Sequence, residues 1–196
     1  MSELYIVTAA RGAGKTAFCR LLVKHARAAG MDVAGLLSPA VFENGIKTGI
    51  LAENLRTNEL RHLAQLSTLN DQPATFSLQL GNWFFDPFII AWGNEILAGC
   101  LACDLFIVDE IGPLELLRGE GWSNALAALR ESMYKIGIVV IRPELINNAQ
   151  NIFPNAQIIA IESLDEFPRI SEPPDHLSSK IFQTIHHWGK NSPIDC

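Results

Sequence analysis

The feature that most constrains this chain is a short apolar run, residues 4–7, followed at once by Ala9-Ala10-Arg11-Gly12-Ala13-Gly14-Lys15-Thr16 and then by a helical pattern. The spacing is that of a Walker A loop between a strand and a helix. Glycines let the backbone curl so that successive N–H groups converge on phosphate oxygens, and the helix amino terminus adds partial positive charge. The residues expected to line such a site are Ala9, Ala10, Arg11, Gly12, Ala13, Gly14, Lys15, Thr16 and Ala17. Lys15 would reach the β- and γ-phosphates, and the Thr16 hydroxyl would ligate Mg2+. Ala9 stands where the pattern usually has Gly, and its methyl is tolerated if the backbone there keeps φ negative.

Four further apolar runs read as strands, over residues 33–37, 105–108, 136–141 and 158–161. They are continuous rather than alternating, as strands covered on both faces are. Helical patterns lie between them. One places Phe18, Leu21, Leu22, His25 and Ala29 on a face. A second opens on Asp86 as cap with Pro87 in its first turn and stops near Gly99, and a third carries Trp122, Leu126, Leu129 and Met133 on a stripe. Strands alternating with helices predict a three-layer α/β sandwich with a mostly parallel sheet. Residues 38–80 break the alternation with turn signals at Asn44-Gly45 and Thr57-Asn58, and read as a small antiparallel insertion. The expected domain spans residues 1–162, with a loop and helix over 163–196 packed on it; that helix is centred on residues 177–188.

The third run ends in Val108-Asp109-Glu110, which fits a Walker B element. In a parallel sheet the carboxyl ends of neighbouring strands open onto one crevice, so the pair would face the loop. Asp109 is then expected to hold the metal through its water, and Glu110 to polarise a water toward the γ-phosphate as general base. A kinase needs no water-activating carboxylate, so Glu110 tilts the expectation toward hydrolysis. Three cations are candidates for stabilising charge in the transition state: Arg11 in the loop, Lys47 in the insertion, and Arg142 at the end of its strand, the last being preferred. Trp83, Phe84 and Phe85 form an aromatic cluster that could stack on a base or join the core.

Composition excludes other classes. A net charge of −6 with scattered Lys and Arg offers no electrostatic footprint for nucleic acid. The amino terminus lacks a basic segment ahead of an apolar stretch, so neither a signal peptide nor a membrane anchor is expected and the chain is placed in the cytoplasm. Cys19, Cys100, Cys103 and Cys196 are too dispersed for a disulfide scaffold. Cys100 and Cys103 form a C-x-x-C pair that reads as buried free thiols.

With these parts in order, the chain resembles the cancer-related nucleoside-triphosphatase family over roughly residues 4–162. The resemblance rests on the loop, then Gly35-Leu36-Leu37-Ser38-Pro39, a hairpin through Gly45 to Gly49, and the block Asp109-Glu110-Ile111-Gly112-Pro113-Leu114-Glu115-Leu116, followed by a strand running into Arg142. It implies a magnesium-dependent enzyme converting ATP, GTP and other nucleoside triphosphates to diphosphates. Lys15 and Thr16 would be at the phosphate and metal, Asp109 at the metal and Glu110 at the water. Glu115 matches a family acid, with a structural hydrogen bond as its alternative role. The segment after Pro39 reads Ala40-Val41-Phe42-Glu43 and lacks an arginine the family often shows there. Two other readings stay open: a small-molecule or nucleotide kinase using residues 38–80 to hold an acceptor, and a binding module in which slow hydrolysis times contact with an unidentified protein partner.

Overall fold

A computed structural model describes residues 2–67, 78–161, 181 and 183–185. The elements in chain order are β1 (Glu3–Thr8), α1 (Lys15–Ala28), β2 (Val33–Leu37), β3 (Ala40–Glu43), β4 (Ile46–Asn54), β5 (Leu60–Leu66), β6 (Leu78–Leu80), β7 (Trp83–Phe85), α2 (Pro87–Gly99), β8 (Ala102–Ile111), α3 (Pro113–Arg118), α4 (Asn124–Glu131), β9 (Met133–Ile141), α5 (Ile146–Ile152) and β10 (Gln157–Ala160). They build one sheet in the order β10-β1-β9-β8-β2-β4-β5-β7-β6, with β3 paired to β4. The pairs from β10 through β2 are parallel. From β2 outward every pairing is antiparallel. The five apolar runs of the sequence are therefore the parallel core, and the insertion extends the same sheet, making it mixed.

Alternation across the pleat divides the core into two layers. Tyr5, Val7, Leu105, Ile107, Ile138 and Val140 pack against Phe18, Leu22 and Ala26 of α1. Ile6, Phe106, Val108 and Val139 face the other way, toward Leu97 of α2, Ala125 and Leu129 of α4 and Ala149 of α5. Helices thus cover both faces, as a parallel sheet requires. Ile181 and Ile185 are fully buried against the α1 layer, and the described residues around them are helical. The rest of the expected tail helix, the prolines at 168, 173 and 174, and Cys196 lie outside the described residues. Among the described residues no helix is long and apolar enough to cross a membrane.

Two readings of the sequence are corrected. The stripe from Trp122 to Met133 is not one helix: α4 ends at Glu131, Ser132 turns extended, and Met133 opens β9 with 71% of its surface exposed. Its N–H donates to the Leu101 carbonyl, so strand pairing claims a residue whose spacing suited a helix. The antiparallel insertion also runs past residue 80, because Trp83–Phe85 pairs with both β5 and β6. Asp86 caps α2 as expected, accepting from the N–H groups of Phe88 at 2.8 Å and Ile89 at 3.4 Å.

Gly35 is where the central strands meet most closely. Its φ is +109°, and a Cβ there would lie 1.9 Å from the Ile107 carbonyl oxygen of β8. Gly35→Ala combines a disfavoured backbone with a clash against a strand that cannot move, and is expected to destabilise by roughly 2–5 kcal/mol. The shift of the urea unfolding midpoint measures this; a midpoint within error of the parent would show that β2 and β8 separate freely.

Candidate active site

The loop after β1 has the conformation its glycines permit. Gly12 and Gly14 sit at φ +76° and +83°, whereas Ala9 is not among the positive-φ residues. Ala9 is 5% exposed, so its methyl is absorbed by the core and the substitution of the first loop glycine is accommodated. Phe18 N–H donates to Gly14 O at 2.9 Å, starting α1 directly from the loop. The Lys15 ammonium donates to the carbonyls of Ala9 at 3.0 Å and Ala10 at 2.9 Å, which holds it across the loop mouth. Arg11, Gly12 and Ala17 are exposed, and Ala13, Gly14, Lys15 and Thr16 are half-buried, so the loop opens to solvent on one side.

Asp109 and Glu110 lie at the carboxyl end of β8, where the pairing with β9 skips from Val108 to Ile111. This bulge leaves Glu110 at φ +78°, in the left-handed region. A bulge re-aims side chains that regular pleating would send to opposite faces, and a strained non-glycine residue there costs of order 1–3 kcal/mol. Ser38 at the end of β2 fastens the bulge: its hydroxyl donates to Asp109 O at 2.6 Å and its N–H to the Asp109 carboxylate at 3.2 Å. Sequence reasoning gave Ser38 no role, and its place directly after an apolar run was the available signal.

Asp109 is 1% exposed. Burial pushes its carboxyl up to about 6, against the hydrogen bonds of the Thr16 side chain and the Ser38 N–H, which favour the ionised form. A buried carboxylate beside a threonine hydroxyl is a hard-oxygen donor set, and a small divalent cation there would offset the cost of keeping the charge. The residues fit magnesium on that ground.

Glu110 accepts from Arg142 Nε at 2.5 Å, with the two side chains 32% and 22% exposed. Arg142 thus lies beside the crevice, as expected of a residue ending β9, but its charge is engaged by Glu110. Lys47 arrives from β4. It is half-buried, its ammonium sits 5.1 Å from the centre of the Trp83 ring, and among the described residues no carboxylate is in ion-pair contact with it. Burial lowers its pKa, while the field of Glu110 raises it and those of Arg142 and Arg11 oppose it, so Lys47 shares a space with all three. The Trp83 ring therefore serves as the platform under Lys47. Glu115 is 8% exposed and accepts from Gly112 N–H and Trp122 N–H, both at 2.8 Å, closing the amino end of α3 as a structural hydrogen bond.

The model of the family described as NTPase matches residues 4–161. This chain belongs to that NTPase family. Among curated relatives, the chain is 28% identical over 132 residues to the protein named nucleoside-triphosphatase THEP1 of Ignicoccus hospitalis, the match covering 66% of each; the chain thus spans somewhat under two-thirds of that relative's length. The NTPase fold is shared with two solved structures. One is the solution structure of a human cancer-related nucleoside triphosphatase, with a TM-score of 0.65, 16% identity, and coverage of 95% of this chain and 98% of that one. The other is the crystal structure of THEP1 from the hyperthermophile Aquifex aeolicus, with a TM-score of 0.57, 16% identity, and coverage of 84% and 93%.

Proposed function

We propose that this member of the NTPase family hydrolyses nucleoside triphosphates, ATP and GTP among them, to diphosphate and phosphate with Mg2+. The observation that carries the reading is the bulge that places Glu110 next to a buried, Ser38-fastened Asp109 at the end of the sheet where the glycine loop opens. The backbone N–H groups of the loop and Lys15 would take the phosphates, and Thr16 and Asp109 would hold the metal. When bound, magnesium neutralises charge on the β- and γ-phosphate oxygens. Glu110 would accept the proton of the attacking water as its oxygen approaches the γ-phosphorus. The Arg142 guanidinium fixes one oxygen of that carboxylate, leaving the other for water.

Arg142 is committed to Glu110, so Lys47 is the cation better placed to meet charge developing on the γ-phosphoryl group. Lys47→Met should lower kcat by roughly 10²-fold, as removal of one preorganised charge donor does, with little change in KM. An unchanged kcat would return that role to Arg142 or Arg11.

The kinase alternative draws less support from the insertion. Of its arginines, Arg56 bonds Asp32 at 2.7 Å and the Ala102 carbonyl at 2.8 Å, and Arg61 pairs with Glu59 and covers the Trp92 ring at 4.4 Å. Both are engaged within the fold, Arg56 beside the starts of β2 and β8 and Arg61 between β5 and α2. The deciding experiment is phosphate release from ATP, GTP, CTP and UTP with magnesium and without an added acceptor. Turnover of several triphosphates supports a hydrolase, whereas tight binding without turnover would overturn it.

A further inference from the structure

Away from the triphosphate site, at the opposite end of β8, the chain carries a second reactive arrangement. Cys100 caps the carboxyl end of α2 and Cys103 is the second residue of β8. Their sulfurs are 3.9 Å apart, and both thiols are free. The segment between them is pinned from several sides. Ser132 Oγ donates to the Cys100 carbonyl at 2.5 Å, Arg56 donates to the Ala102 carbonyl at 2.8 Å, and Met133 N–H donates to the Leu101 carbonyl at 2.9 Å. The backbone is therefore held, with the two sulfurs facing each other across 3.9 Å, against about 2.0 Å in a disulfide bond.

A cavity of about 210 Å³ adjoins Cys100, walled by Leu97, Leu101 and Ala128 with Asn124, Glu131 and Ser132 supplying polar atoms. Cys100 is 3% exposed, so this cavity is its approach from solvent. The two thiols are also unequal: the hydrogen bond between them, aided by the Arg56 guanidinium, pulls the Cys100 thiol below its ordinary value against its burial, while the same bond together with burial pushes Cys103 up. An asymmetric pair of this kind has one attacking and one resolving sulfur.

We infer that Cys100 and Cys103 form a thiol–disulfide exchange site whose substrate is a small aliphatic disulfide seated in the cavity beside Cys100. The Cys100 thiolate attacks one sulfur of the small disulfide, forming a mixed disulfide and releasing the other half as a thiolate, which takes up a proton. Cys103 then gives its proton to water and attacks Cys100 Sγ, breaking the mixed disulfide and releasing the second half as a thiol. The protein dithiol is oxidised by two electrons and the small disulfide is reduced to two thiols.

The test treats the reduced, full-length protein with cystamine, whose ammonium arm suits Glu131, and follows intact mass and peptide maps without any nucleotide. The expected product is a protein lighter by two hydrogen atoms, with Cys100 linked to Cys103 and Cys19 unmodified. Cys103→Ser should stop at a mixed disulfide of Cys100 with one cysteamine, and Cys100→Ser should abolish the cross-link. Separate adducts on both residues of the wild type, or a wild type whose Cys100 and Cys103 stay reduced, would overturn the inference. Because the wild-type map needs no variant, failure of either mutant to fold leaves the test intact.

Discussion

Glu110→Gln is expected to cut single-turnover hydrolysis of a magnesium–triphosphate complex by roughly 10²–10⁴-fold, the loss typical of removing a positioned general base. The replacement keeps the shape and one hydrogen-bond acceptor for Arg142 Nε, and Gln meets the same backbone cost as Glu at φ +78°. The fold should therefore survive. Nucleotide affinity, read by titration calorimetry, should change little, because Glu110 touches water rather than phosphate in the proposed mechanism. A variant that retains the parent's rate would remove Glu110 from the chemistry and leave Asp109 as the remaining acid of the pair.

Lys15→Ala is expected to act on binding and on rate together. Its ammonium already bonds two loop carbonyls at 2.9 and 3.0 Å, so the loop presents it preformed to an incoming phosphate. Charge-assisted hydrogen bonds contribute roughly 1.5–3 kcal/mol each, so losing one should weaken triphosphate affinity by about 10- to 100-fold. Turnover should fall further, since the same charge would stabilise the γ-phosphoryl group as it transfers. Thermal unfolding without nucleotide should barely move, because the side chain is partly solvent-exposed. Full retention of triphosphate affinity with an unchanged fold would remove the loop as the phosphate site.

The two variants separate the proposed roles. One keeps binding and loses chemistry; the other loses both. The dithiol site lies outside this scheme, at the far end of β8, and its test reads sulfur chemistry alone.

The sequence by itself determined the parts that depend on local patterning. Continuous apolar runs marked the five parallel strands, because strands of the sheet interior, covered on both faces, have few polar positions to interrupt them, and edge β10 kept the pattern although Ile158 is exposed. Asp86 and Pro87 marked the start of α2, because a capping carboxylate and a preset φ act within one turn. The glycine loop was legible because only glycine takes the positive φ found at Gly12 and Gly14 at low cost.

Tertiary structure decided what depends on residues far apart in the chain. That Met133 joins β9 rather than α4 follows from pairing with Leu101, a contact no periodicity encodes. The aromatic cluster at Trp83 became a strand because β5 was there to pair with it. The bulge that turns Glu110 beside Asp109 exists because Ser38, 71 residues earlier, bonds both the carbonyl and the carboxylate of Asp109. Glutamate has no intrinsic preference for positive φ, so its sequence neighbours could not announce it. Likewise the sequence favoured Arg142, at the end of its strand, over Lys47 as the cation for the transition state. Folding set them apart, by pairing Arg142 with a carboxylate and placing Lys47 over the face of an indole, because a charge acquires its role from the groups the fold sets against it.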